Sequence, residues 1–388
     1  MVQYCKFTCV DHQLHINLSN SFLYKYNSSD FNTIYPQQHK IFSKKEIEME
    51  LIPFLPEEIG LECLTRLPYT THRVASRVCH RWRDLLESRE FYNQRKQSGF
   101  TRKLACLVQS LPVQPDPKIH KPITPSSFGI TVFDPNNQSW VRLSPIPKYP
   151  SGLPLFSQLC SVDGKLIVMG GWNPVSWDPV KDVFIYDFTT QQWRQGKDMP
   201  SKRSFFAAAA LDGRVFIAGG HDENKNALKS AWTYDVRRDE WSELTQMSEE
   251  RDECEGVVIG NEFCVVSGYG TEEQGKFRKC AEFYDMEKNE WRKADGVWIE
   301  GKCPRGCVGV NSDDGKLICL AELDSEVRVG TCGVKLGDLS LVTGSAYQGI
   351  TQGFYTLNMN DRQNSKLKKI EMENDFSGFV QSGCCVEV

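Results

Sequence analysis

Four times in this chain an aromatic residue and an aspartate stand together, with a tryptophan seven positions after the aromatic. Phe133-Asp134 precedes Trp140, Tyr186-Asp187 precedes Trp193, Tyr234-Asp235 precedes Trp241 and Tyr284-Asp285 precedes Trp291. Successive tryptophans are 53, 48 and 50 residues apart. A period near fifty predicts an array of small repeated units, each unable to bury its apolar surface alone.

The rest of the unit repeats too. "SVDGKLIVMGG", "ALDGRVFIAGG" and "VIGNEFCVVSG" align on a turn followed by a short apolar run that ends at glycine. Asp163-Gly164 and Asp212-Gly213 suit two-residue turns that need positive φ, and Gly260-Asn261 can turn the chain in another way. The flanking runs read as buried strands. A polar loop follows, then a second hairpin carrying the aromatic and the tryptophan. Each unit therefore has four strands. On adjacent antiparallel strands the two aromatics become cross-strand neighbours, a pairing that stabilises a sheet by about 0.2–1 kcal/mol. A four-stranded sheet with two apolar faces is satisfied by radial stacking, so the expected architecture is an all-β propeller.

The glycine pairs Gly170-Gly171 and Gly219-Gly220, followed by the spaced aromatics, resemble kelch repeats; the third unit has Ser267-Gly268 instead. Clear repeats cover about 155–200, 204–247 and 252–297. Degenerate ones cover 102–145 and 306–372, where 306–322 supplies a strand pair and 353–372 one more hairpin. The last stretch, 376–388, resembles the first strand of a unit without its partner. It is expected to close the ring against the N-terminal unit, giving five or six blades over 98–388.

Residues 55–95 carry a different period. Pro56 with Glu57 and Glu58 favours a helix start; Ile59, Cys63, Leu64 and Leu67 share a face, and Pro68 stops the run. Val74, Val78, Trp82 and Leu85 then recur at helical spacing, with Thr70 or Thr71 as the cap. Two helices, or two and a short third, are expected. So few residues rarely make a self-sufficient core, so part of the stripe should cover another surface.

Leu55-Pro56, Ile59, Arg66–Pro68, Val78-Cys79, Trp82-Arg83, Leu85 and Phe91 resemble an F-box, placed at 49–97. The resemblance implies docking on a Skp-type adaptor of a cullin-based ubiquitin ligase through Leu55, Pro56, Ile59, Leu67, Pro68, Val78 and Trp82. It further implies that the propeller binds a protein substrate. An F-box before kelch repeats looks like a large plant family, whose short members imply substrates such as phenylalanine ammonia-lyase or a cytokinin response regulator. A kelch scaffold outside ubiquitination and a propeller enzyme are the alternatives.

The remaining features narrow the function class. Net charge is −4, so nothing global demands nucleic acid. Six arginines make 66–89 basic, but they scatter around the second helix rather than lining one face, against a helix-turn-helix reading. No apolar stretch of 18 residues exists, so no spanning helix or membrane association is expected. Fifteen cysteines without a C-x2-C pair read as reduced thiols, which fits cytoplasm or nucleus. No histidine follows His221, whereas kelch-type copper oxidases need histidines in the later blades. The repeated aspartates read as turn caps rather than catalytic acids. No enzyme, metal or cofactor is expected. Residues 1–48 fit neither module and are expected to form an extension without a fixed fold. Proline-rich 112–127 reads as an extended loop.

For substrate contact, Arg203, Arg251 and Arg305 stand at nearly equal offsets before the first strand of successive units. They could form a basic ring on one face or brace the blades internally. Trp172 and Trp177 lie in a loop after a glycine pair, where exposed aromatics suit an interface.

Overall fold

The computed structural model describes residues 5–10, 13–18, 51–112, 127–311, 314–358 and 366–388. The chain divides into two compact units, Met1–Thr101 and Arg102–Val388. Within 1–48, expected to lack a fold, the backbone of Cys5–Val10 pairs antiparallel with Gln13–Leu18; the rest of that extension lies outside the described residues, as does most of the proline-rich loop.

Among the described residues the first unit holds four helices rather than two or three: α1 Glu57–Thr65, α2 Tyr69–Ala75, α3 His80–Leu86 and α4 Arg89–Gln97. What reads as one long helix from Thr70 is cut twice. Cys79 turns extended and its sulfur accepts the Trp82 amide, while the Ser88 hydroxyl accepts the Phe91 amide. Each thus satisfies an amide that a new helix start leaves open. The helices close on Leu64, Leu67, Ala75, Trp82, Leu86 and Phe91. Arg95 is buried and binds the carbonyls of Thr65 and Leu67 at 2.7 and 2.6 Å, tying α4 to the end of α1.

In the second unit, five four-stranded antiparallel sheets are present among the described residues. Blade 1 runs Val380–Glu387, Lys103–Ser110, Phe128–Asp134 and Ser139–Arg142 from inside outward. Blade 2 is Gln158–Val162, Lys165–Met169, Val183–Asp187 and Gln192–Gly196. Blade 3 is Ala207–Leu211, Arg214–Ala218, Ala231–Asp235 and Glu240–Glu243. Blade 4 is Glu255–Ile259, Glu262–Val266, Ala281–Asp285 and Glu290–Ala294. Blade 5 is Val329–Leu336, Leu339–Ser345, Gly353–Asn358 and Lys368–Lys369. Between blades 4 and 5 sits a two-stranded sheet, Val308–Val310 with Leu317–Cys319. Innermost strands of all five blades and of this small sheet line a central cavity of about 400 Å³.

This corrects the reading of 306–372 as one degenerate repeat. Residues 306–322 stop at two strands, and the segment at 353–358 is the third strand of blade 5. The inner half of that blade, 329–345, carries neither a glycine pair nor a spaced tyrosine and tryptophan. It folds as a hairpin about Gly337-Asp338.

Second strands are buried past their first residue, as in Leu166–Met169, Val215–Ala218 and Phe263–Val266. They are packed on both faces and so read as continuous apolar runs. The cores lie between blades: Ile167, Ile185 and Met199 of blade 2 meet Phe206, Val215 and Tyr234 of blade 3. Outer strands are short and largely polar, which suits an unpaired edge. At the inner hairpins Asp163-Gly164 and Asp212-Gly213 both have positive φ, whereas only Gly260 does in blade 4.

Candidate functional site

The spaced aromatics are structural. Phe133 faces Trp140, Tyr186 faces Trp193, Tyr234 faces Trp241 and Tyr284 faces Trp291 in register, with ring centroids 4.4, 5.0, 4.7 and 5.2 Å apart. Three indole N–H groups reach back to the preceding blade's exit: Trp193 to the Ser144 carbonyl (2.8 Å), Trp241 to Lys197 (2.9 Å) and Trp291 to Thr245 (2.7 Å). The aspartates cap their turns; Asp187, Asp235 and Asp285 each accept two backbone amides two and three residues ahead. The glycines lie in the left-handed region at close approaches. A Cβ on Gly171 would stand 2.5 Å from the Leu155 carbonyl oxygen, and one on Gly220 2.3 Å from that of Ser204. Gly170 and Gly219 share the positive φ.

The three arginines do not form a ring. Arg203 and Arg251 are fully buried. Arg203 donates to the Gly219 and Ser230 carbonyls at 3.2 and 3.3 Å and to the hydroxyls of Ser230 and Ser201 at 2.9 and 3.0 Å. Burial lowers its pKa to about 10. Arg251 binds the buried Glu282 carboxylate at 3.0 Å and the Ser267 carbonyl at 2.7 Å. Burial opposes its charge, but Cys280 and Glu282 outweigh that and its pKa is raised. Both arginines brace a blade from inside.

Arg305 behaves differently because of a one-residue offset. Arg203 and Arg251 stand three positions before the buried anchors Phe206 and Cys254, but Arg305 stands only two before Cys307. Pro304 takes the bracing position instead: the Cys307 thiol donates to its carbonyl as the Cys254 thiol does to that of Arg251. The displaced Arg305 guanidinium lies over two aromatic rings, 4.0 Å from the Phe205 centroid and 5.0 Å from that of Phe156. Such contacts are worth about 0.5–2 kcal/mol. Its Nε is buried and has no hydrogen-bond partner among the described residues.

Phe156 and Phe205 were not singled out by sequence reasoning. Each has positive φ (61° and 56°), as does Glu253 (49°) at the same place in blade 4. The two rings pack against each other, tilted by 39°, with centroids 4.7 Å apart. The legible signal is position alone: the residue just before the anchor of each inner strand.

Around this pair the loops that follow the second strands contribute the residue after the glycines: Trp172, His221 and Tyr269. Trp172 packs edge-on to His221 (5.7 Å) and Phe205 (6.2 Å), with the Lys225 ammonium 5.9 Å from its ring. His221 Nδ1 lies 2.9 Å from both Asp252 oxygens, while the Tyr269 hydroxyl donates to Glu253 at 3.0 Å. Trp172 is thus half-buried, whereas Trp177 is 54% exposed, as is neighbouring Val175 at 87%.

In the helical unit, Leu67 and Trp82 are buried (1% and 4%). The Trp82 indole donates to the Leu51 carbonyl at 2.6 Å, so both side chains hold the helices together rather than facing a partner. Leu55 is half-buried against the same core, while Pro56, Pro68, Ile59 (49%) and Val78 (55%) are exposed.

Comparison with known proteins gives matches in both units. The F-box domain family model matches residues 52–94, and the KLHDC2/KLHL20/DRC7 Kelch-repeats domain matches 125–313. Three Arabidopsis thaliana proteins are similar. F-box/kelch-repeat protein At2g44130 is 38% identical over 71% of this chain and 73% of its own. F-box/kelch-repeat protein At1g15670 is 37% identical over 88% of this chain and 100% of its own. F-box/kelch-repeat protein At1g80440 is 43% identical over 63% of this chain and 69% of its own.

Proposed function

The chain belongs to the F-box/kelch-repeat proteins, and from that premise we propose that it is the substrate-recognition subunit of a Skp–cullin–F-box ubiquitin ligase. The helical unit docks on the Skp-type adaptor and the propeller holds a protein substrate for ubiquitination and degradation. The subunit is non-catalytic: it raises the effective concentration of substrate lysines near the ubiquitin-carrying enzyme. Phenylalanine ammonia-lyase or a cytokinin response regulator fits the substrate role. The free thiols of the described cysteines suit work in cytoplasm or nucleus.

One observation carries the reading. The helical core is already closed by Leu64, Leu67, Trp82 and Phe91, yet Ile59 and Val78 remain exposed beside Pro56 and Pro68. Apolar side chains that the fold does not need are available for a partner. The test is co-purification of the full chain with a Skp-type adaptor. Ile59→Glu with Val78→Glu should lower capture by roughly tenfold or more, with helical content unchanged by circular dichroism. Undiminished capture by this double variant, or none by the unaltered chain, refutes the reading.

A further inference from the structure

Beside Arg305 the propeller has an open recess of about 310 Å³, lined among others by Phe156, Lys302, Arg305, Arg328, Phe379 and Gln381. Lys302, Arg305 and Arg328 line it and no acidic residue does among the described residues; Lys302 is paired with Glu322 at 3.6 Å, which leaves the two arginines. The acids nearest Arg305 act on it through charge, but they hydrogen-bond to other groups. Glu253 accepts the Tyr269 hydroxyl, Glu255 accepts the Gly306 amide at 2.6 Å, and Asp252 faces His221. Arg328 is exposed, Phe379 is 45% exposed, and Gln381 is committed to the Phe156 amide at 2.8 Å.

A guanidinium lying over two rings is held in place, with its Nε–H unpartnered among the described residues. Planar paired donors match a carboxylate, and the flanking phenylalanine rings offer apolar contact beside it. We propose that this recess takes a carboxylate from the bound protein substrate, an extended acidic segment whose flanking apolar side chains rest on Phe156 and Phe379. The inference rests on the substrate-receptor reading and adds to it the chemistry of the segment recognised.

The test uses the full chain and four immobilised dodecapeptide libraries. Three are amide-capped, with random flanks and a fixed central Glu, Gln or phosphoserine; the fourth is random with a free C-terminal carboxylate. The Glu library should retain roughly tenfold more protein than the Gln library, and Arg305→Gln should erase that difference. Retention on the fourth library that Arg305→Gln abolishes would assign the same recess to a chain terminus, the other source of a carboxylate. Arg328→Gln, at an exposed side chain, should lower the Glu preference by roughly threefold, which keeps the proposal testable if Arg305→Gln does not fold. Equal retention of Glu and Gln, retention of phosphoserine alone, or a preference that survives both variants overturns it. Adaptor capture is measured on the same preparations. Normal capture without a Glu preference defeats this inference alone, and lost capture with the preference intact defeats only the ligase reading.

Discussion

At the scale of single residues, spacing and environment separate side chains that look alike in sequence. Trp193 is a staple: it packs tilted against Tyr186 across the hairpin and donates to Ser144 at the exit of the preceding blade. Trp193→Ala should cost about 1–3 kcal/mol, and Trp193→Phe, which keeps a ring but loses the hydrogen bond, about 1 kcal/mol, read from denaturant midpoints. The pairing was legible from the seven-residue spacing, because two strands and a tight turn bring those positions face to face. The bond to the neighbouring blade was not, since it depends on how far the blades are rotated about the axis. The arginines make the same point more sharply. Arg203, Arg251 and Arg305 share a motif-like position, yet shifting by one residue in extended backbone sends a side chain the opposite way. Two became internal braces and the third a cation on phenylalanine.

Among elements, the outer hairpins do more than cap a sheet. Asp239 at the tip in blade 3 accepts the Tyr234 hydroxyl and the Lys197 amide that follows blade 2. Burial pushes its pKa up, but the Tyr234 and Lys197 bonds outweigh that and hold it below the usual carboxylate value. A depressed folded-state pKa means the contribution is complete above the ordinary aspartate range and is lost as pH falls through the folded value. The melting temperature of Asp239→Asn should therefore trail the unaltered protein at pH 7, and the gap should start to close only as pH falls below about 4, toward the depressed folded value. In the helical unit the apolar period was legible but its breaks were not. A stripe at Val74, Val78 and Trp82 reads as one helix, because Cys79 is rarely an N-cap and nothing local forces it extended. The break puts Trp82 inside and leaves Val78 outside.

For the propeller as a whole, closure decides stability. The C-terminal strand Val380–Glu387 is the innermost strand of blade 1 and pairs with Lys103–Ser110, joining the two ends of the unit. Deleting residues 380–388 leaves the apolar strand Lys103–Ser110 as an open edge, a template for association. The truncated chain should lose its single cooperative unfolding transition and elute as soluble aggregate in size-exclusion chromatography. Elution as a monomer with an unchanged transition would show that the remaining strands suffice. Blade 5 was the hardest to read: Val329–Ser345 has no glycine pair and no spaced tryptophan, so only alternation about Gly337-Asp338 marks it.

The repeat, the hairpins, the aromatic pairs and a helical segment before them can all be read from spacing along the chain. All of these rest on contacts within about fifty residues, where spacing along the chain dictates geometry. Five full blades and a two-stranded remnant among the described residues, and the inward-facing Leu67 and Trp82, emerge only once the chain is folded. Folding alone places Arg305 over Phe156 and Phe205. Those outcomes depend on which side chains meet when separate units close around an axis, and that meeting leaves no period in the sequence.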